Sequence, residues 1–184
     1  MIEMRKRLLL ATLMIIALII NAQENSFTVS GGYVFSNLEE TETNAEGYRI
    51  NGVYEFNPGQ SILSHGIAVA YIHTTAEGLQ NLKYKLNNVP VYYAPKLIFG
   101  KGKARVFVKG ALGMHFSGYK IEGSAGGEVK TSDIGFYGGA GAGVVLNVNE
   151  KVFINAEYEW AYLTNSWYRD GFVNTAMAGI GFRF

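Results

Sequence analysis

Nine charged residues fall on one parity of alternating segments and could meet in a shared interior. They are Arg49, Glu55, Lys96, Arg105, Lys109, Asp133, Glu157, Glu159 and Arg183. Five are cationic and four anionic, so they can nearly neutralise one another. Charges gathered out of water must pair, because an unpaired buried charge costs several kcal/mol. Such a set can be a salt-bridged core that plugs an interior or a narrow path for ions, and the near balance of signs favours the plug. A second set, Glu39, Glu40, Glu42 and Glu46, has no basic residue among residues 36–46. Four carboxylates can bridge divalent cations to phosphates, meet a basic partner, or simply keep a loop solvated. Their spacing matches no calcium loop, and solvation is the plainer reading. The third set is His65, His73 and His115. A hydrolase or acyltransferase needs a His beside a Ser and a carboxylate, and His73 has Ser and Glu residues in neighbouring loops.

Sharing one interior requires strands with two different faces. A period of two puts alternate side chains on opposite faces. Eight segments of that kind are read at residues 26–35, 47–56, 62–73, 86–99, 104–118, 133–147, 152–162 and 172–184. In the fifth, Val106, Val108, Leu112, Met114 and Phe116 alternate with Arg105, Phe107, Lys109, Ala111, Gly113 and His115. In the seventh, Val152, Ile154, Ala156, Tyr158, Trp160 and Tyr162 alternate with Phe153, Asn155, Glu157, Glu159 and Ala161. The fourth contains Pro90 and Pro95, which cannot donate to a ladder, so a bulge is expected near one of them. Between Lys109 and Glu157 the sixth segment offers Gly139, Gly141 and Gly143, a bare floor across which the two could pair, with Glu159 as the substitute partner.

The connections alternate too. Residues 57–60, 100–103 and 147–150 are short, whereas 36–46, 74–85, 119–132 and 163–171 are longer and polar. Short turns on one side and long loops on the other form the rhythm of an outer-membrane barrel. Both chain ends then fall on the short-turn, periplasmic side. Two aromatic girdles are expected: Phe56, Phe99, Phe182 and Phe184 near the short turns, and Tyr33, Phe35, Tyr48, Tyr71, Trp160 and Tyr162 near the long loops.

The first residues are of another kind. Arg5, Lys6 and Arg7 precede an uncharged apolar run at 8–20, and Ala22 follows. This is the layout of a cleaved secretory signal over residues 1–22, leaving a single domain at 23–184. The apolar run is short of the roughly 20 residues a membrane helix needs. The junction Asn21-Ala22-Gln23 resembles cleavage sites common in Bacteroidetes-type bacteria. The full chain has 16 basic and 15 acidic residues, and losing Glu3, Arg5, Lys6 and Arg7 leaves 13 and 14. That balance gives no field for nucleic acid. Without cysteine there is no disulfide and no thiolate metal site, and nothing calls for a cofactor. A chain without a long apolar helix can cross a membrane only as a closed barrel.

The chain ends Gly179-Ile180-Gly181-Phe182-Arg183-Phe184, with Ile180, Phe182 and Phe184 on one face. This end resembles the C-terminal assembly signal of outer-membrane β-barrels. With Val89-Pro90-Val91-Tyr92-Tyr93-Ala94-Pro95-Lys96, it makes the mature chain resemble the small eight-stranded OmpA/OmpX/Ail-like family. The resemblance implies an all-β, eight-stranded antiparallel up-and-down transmembrane barrel in the cell outer membrane. It implies outer-membrane lipid and lipopolysaccharide, the barrel assembly machinery and a host or surface ligand as partners, and a monomer. The expected work is structural or adhesive, carried by the loops, with no catalytic residue and no metal. The alternatives are a lipid-A-modifying enzyme around His73 and a soluble lipocalin-like lipid binder, whose apolar face would point inward.

Overall fold

The structure is a computed structural model and describes residues 23–38, 43–58, 62–78, 82–122, 128–164 and 166–184. The proposed signal at 1–22 and the residues Glu39, Glu40 and Glu42 lie outside this set. The strands are β1 Gln23–Asn37, β2 Asn44–Pro58, β3 Leu63–Glu77, β4 Lys83–Tyr93, β5 Lys96–Phe99, β6 Ala104–Glu122, β7 Glu128–Asn147, β8 Val152–Leu163 and β9 Phe172–Arg183. β4 and β5 are two pieces of one stave, each paired to β3 on one side and β6 on the other. Eight antiparallel staves result, each beside its sequence neighbour. β1 closes on β9 from Ser26↔Arg183 to Phe35↔Asn174, so the sheet has no free edge.

The prolines act differently from expectation. No residue is inserted at either one. Tyr93 pairs with Leu112 and Lys96 with Lys109, so both strands advance by three residues and the register is unbroken. Opposite Val89 and Pro90 the ladder to β3 lapses between Val69↔Val91 and Ile72↔Asn88, then resumes in register. At Ala94-Pro95 two backbone bonds still tie the stave, Ala94 N–H to the Gly66 carbonyl at 2.8 Å and Gly110 N–H to the Pro95 carbonyl at 2.9 Å. The missing N–H of proline costs a rung and leaves the strand spacing alone.

The polar segments also extend the ladder. β6 and β7 pair as far as Glu122↔Glu128, inside the stretch expected to be loop. These strands have 19 and 20 residues, while a tilted strand crosses a bilayer with about 9–11. The surplus lifts the hairpin beyond the apolar band. Polarity alone does not end a ladder, since exposed strand faces accept polar residues. Glu46 is likewise a strand residue of β2, opposite Phe35 and Thr75, rather than part of a loop.

The faces sort by chemistry. Val29, Ile50, Ile67, Val108, Leu112, Ile134, Ile154 and Ile180 are exposed on the outside. Arg49, Asn51, Glu55, Lys96, Lys109, Glu157 and Glu159 are buried on the inside. An apolar exterior around an interior that carries the charged groups suits lipid and is the reverse of a soluble lipid carrier. Aromatic rings gather at both ends of the exterior: Tyr48–Tyr71, Phe35–Tyr158 and Trp160–Phe172 at the long-loop end, Phe56–His65 and Tyr54–Phe184 at the other.

Candidate functional site

The interior is built in tiers. At mid-height Lys109 projects from β6 over Gly141, where a Cβ would stand 3.0 Å from the lysine Cε. Lys109 pairs across β7 with Gly141, and Gly141 with Glu159 of β8. The glycine floor lets the ammonium reach β8, where its Nζ lies 2.8 Å from Glu157 Oε1 and 2.6 Å from Glu159 Oε2. From the opposite wall Arg49 of β2 brings Nη1 to 2.5 Å from Glu159 Oε1. Tyr137 donates its hydroxyl to the same oxygen. Arg49 Nη2 donates to the Tyr92 hydroxyl at 2.8 Å, and Tyr92 donates onward to Asn51 Oδ1 at 3.0 Å. Two cations and two carboxylates therefore form a neutral knot, and Glu159, fully buried, sits at its centre.

Below the knot, toward the short turns, Lys96 pairs with Glu55, which also accepts from Ser26 at 3.4 Å. The Lys96 ammonium stands 4.7 Å from the Phe107 ring centroid. At the short-turn mouth Arg105 and Arg183 both donate to Asn147 Oδ1, at 3.5 and 2.6 Å. Asp133 has the parity of the interior set but not its depth. It is exposed near the outer end of β7, and its Oδ1 accepts from the Ile134 N–H at 2.7 Å. It stands apart from the other eight because parity fixes a face, and height along the strand decides whether that face is covered.

Above the knot the interior becomes apolar. Val34, Ile72, Leu86, Leu163 and Val173 pack there, and Tyr168 drops into them fully buried. Tyr168 comes from the segment joining β8 to β9, whose composition predicts a polar loop. Its hydroxyl contacts Thr74 Oγ1 at 2.8 Å and receives Asn88 Nδ2 at 3.2 Å. Trp167 stacks on Tyr119 with centroids 4.3 Å apart. Sequence reasoning missed this plug; the signal available was two adjacent aromatics, Trp167 and Tyr168, in an otherwise polar connection.

The histidines are held apart. His115 is buried with Nε2 2.7 Å from the Thr164 carbonyl. His73 meets Asn87 Oδ1 at 2.8 Å, and His65 meets the Tyr93 hydroxyl at 2.5 Å. These contacts bring no His, Ser and carboxylate together among the described residues.

At the outer rim Glu122 lies 2.7 Å from Lys120 Nζ and 2.9 Å from Lys85 Nζ. The hydrogen bond from Lys120, then that from Lys85, holds its carboxyl down to about 2. An open groove of about 700 Å³ lies on the same end, lined by Tyr33, Phe35, Asn37, Asn44, Glu46 and Phe172 among others. It offers ring faces beside amides, the carboxylates of Glu46 and Asp170, and the guanidinium of Arg169.

A family model described as outer membrane protein beta-barrel domain matches residues 8–184. Neisserial surface protein A is similar in structure, 11% identical over 87% of this chain and 97% of its own, with a TM-score of 0.62. A major outer membrane protein from Thermus thermophilus is 12% identical over 87% and 99%, with a TM-score of 0.63. Ail of Yersinia pestis, in complex with the heparin analogue sucrose octasulfate, is 24% identical over 88% and 99%, with a TM-score of 0.53. At such identities the likeness is one of fold. Among curated proteins, none matches by sequence.

Proposed function

The chain belongs to the outer membrane protein beta-barrel domain family, and from that premise we propose a non-catalytic role in envelope integrity or surface attachment, carried by the long-loop end. The observation that supports it most is the packed interior. The charged knot and the aromatic plug fill the lumen, so the chemistry open to a partner is displayed above the apolar band. There the β6–β7 hairpin rises with its lysine–glutamate cluster, and Glu46 joins the groove of aromatic rings and amides. Such a groove suits sugar headgroups of lipopolysaccharide or a surface ligand. A barrel of this build holding sucrose octasulfate, as in Ail, supports the same reading. In this proposal both ends of the chain are periplasmic, the protein is a monomer, and the assembly machinery inserts it by its terminal strand.

The test is deletion of the gene, followed by complementation with wild type and with Glu39, Glu40, Glu42 and Glu46 all changed to Gln. Deletion should lower cation-dependent envelope resistance or attachment. The Gln variant should fold like wild type and restore less of the lost property. Unchanged resistance and attachment on deletion would overturn the proposal. An altered lipid-A mass in the deletion strain would point instead to a lipid-modifying enzyme.

A further inference from the structure

The groove of about 700 Å³ at the long-loop end runs down into the lipid-facing wall. Rung by rung toward the bilayer, Phe35 of β1 stands between Asn174 of β9 and Glu46 of β2, and Tyr33 between Ala176 and Tyr48. Below them Gly31 stands between Ala178 and Ile50, and Val29 between Ile180 and Gly52. Residues two apart on a strand share a face, so groove and wall are one continuous surface. Along it the chemistry passes from amides and a carboxylate, through a phenol and ring faces, to a bare apolar wall. That gradient matches an amphiphile, with a polar head above and a hydrocarbon part below.

Each half has a shape of its own. The lower half is a furrow of exposed small residues, Gly31, Ala156, Ala176 and Ala178, rimmed by the exposed side chains of Tyr48, Ile50 and Tyr158. A Cβ added at Gly31 would meet nothing nearer than the Arg49 carbonyl at 3.8 Å, so the furrow is open on its outer side. The upper half falls within the range of about 300–1,000 Å³ typical of small-molecule sites, which join ring faces to a few placed polar groups. Its polar groups favour hydroxyls over phosphate. Asn174 accepts the Tyr158 hydroxyl on Oδ1 at 2.6 Å and keeps its two N–H donors for a ligand. The carboxylates of Glu46 and Asp170 accept from hydroxyls and repel a phosphate, and Arg169 already has an interaction of its own. Phe172, in the same lining, is held by its stack on Trp160 with centroids 4.5 Å apart.

We propose that this surface binds a glycolipid of the surrounding leaflet, with its sugar in the groove and one acyl chain along the furrow. Glu46, Asp170 and Asn174 select the sugar hydroxyls, Tyr33 and Phe35 carry the sugar ring at the boundary, and Gly31 with the alanines seats the chain. The proposal rests on the reading that the long-loop end meets sugar headgroups. It narrows that reading to a lipid-borne sugar reached from the side, in preference to a phospholipid or a free glycan.

The test uses the full barrel in a polyoxyethylene detergent, which carries no sugar, and native mass spectrometry of the lipid it retains. The probes are a monogalactosyl diacylglycerol and a phosphatidylglycerol with the same acyl chains, supplied in equal amounts, with methyl galactoside as the soluble competitor. Wild type should retain the galactolipid severalfold over the phospholipid, and methyl galactoside should not displace it. Glu46→Ala with Asn174→Ala should abolish the preference between the two lipids. Gly31→Leu, which fills the furrow and leaves the groove intact, should lower retention of the galactolipid severalfold. These positions lie on the exterior face, and heat-modifiable migration reports whether each variant is folded. The wild-type preference and the competition stand without any variant. Equal retention of the two lipids by wild type, displacement by methyl galactoside, or retention unmoved in both folded variants would overturn the proposal. The readout is a lipid mass on purified protein, so its failure leaves the envelope phenotype of the deletion strain standing, and loss of that phenotype leaves the lipid mass standing.

Discussion

Lys109 serves two carboxylates, and Glu159 serves two cations, so no member of the knot can be removed alone without stranding a buried charge. Breaking such a pair costs about 3–5 kcal/mol. Glu157→Gln and Lys109→Met should each destabilise the folded barrel by about that amount in urea titrations from detergent or lipid. The double change should cost less than the sum, because the two share one interaction. Strict additivity would assign them to other partners. The sequence carried the β6–β8 half of this knot, because parity put Lys109, Glu157 and Glu159 on one face and Gly141 cleared the space between. It carried none of the link to Arg49. β2 and β8 are far apart in the chain, and only closure of the ring brings the guanidinium across the lumen. At the rim a second residue is testable by pH. The carboxyl of Glu122 is depressed in the folded state, so its contribution is present above the ordinary carboxylate range and is lost as pH falls toward about 2. A carboxyl-carbon NMR titration should place its midpoint near 2, and Lys120→Gln should raise that midpoint; a midpoint unmoved by the variant would remove Lys120 as the cause.

Each stave was legible as an element wherever its alternation was clean, and least legible where a local rule pulled against the neighbours. In β4 and β5 the prolines suggested a bulge. The flanking strands instead hold both pieces in one register, with a lapse at Pro90 and a break at Pro95. In the β8–β9 connection composition suggested a solvated loop, whereas Tyr168 is drawn into the lumen by a cavity lined with Val34, Ile72, Leu86 and Val173. That cavity exists only after eight staves close, so no local window of sequence contains it. The faces themselves can be tested. Val108 is exposed on the exterior of β6 and pairs with Ala142 and Leu97. A charge there should cost roughly 2–4 kcal/mol near the bilayer midplane. The same charge at Asn155, inside the barrel, should cost less than at Val108. The opposite order in refolding titrations would mean the faces are exchanged. Gly143 gives a complementary test, since a Cβ there would overlap the Ala156 carbonyl and stand 2.6 Å from the Phe107 ring. Gly143→Val should therefore lower the urea midpoint more than the same change at Gly110, where the nearest atom is 3.5 Å away in Pro95.

The whole molecule depends on one seam. Phe184 extends the β9 ladder past its last paired residue, its N–H donating to the Asn25 carbonyl at 3.0 Å and its carbonyl accepting from Asn25 N–H at 3.3 Å. Its ring is exposed to the lipid side beside Tyr54. Deleting Phe184 removes both bonds and the terminal aromatic, so heat-modifiable barrel in the outer membrane should fall well below wild type; an unchanged yield would show that closure does not need the last residue. With the ring closed, the eight staves enclose a lumen whose diameter is set by their number and tilt, just wide enough for side chains to fill. Here the side chains occupy it at two heights, with the knot at mid-height and the Tyr168 plug above it. In planar bilayers the wild-type barrel should therefore show no steady ohmic conductance. Removing one plug should leave the other in place. Arg49→Ser with Glu159→Ser deletes a cation and a carboxylate together and leaves Lys109 with Glu157, so no net charge is stranded. That variant should still be closed by the aromatic plug, as should Tyr168→Gly alone by the knot. Only the combination should conduct, with cation and anion permeability set by the arginines of the short-turn mouth. Steady conductance in wild type, or a closed combined variant that is folded by heat-modifiable migration, would mean that the lumen is gated by something other than these two tiers.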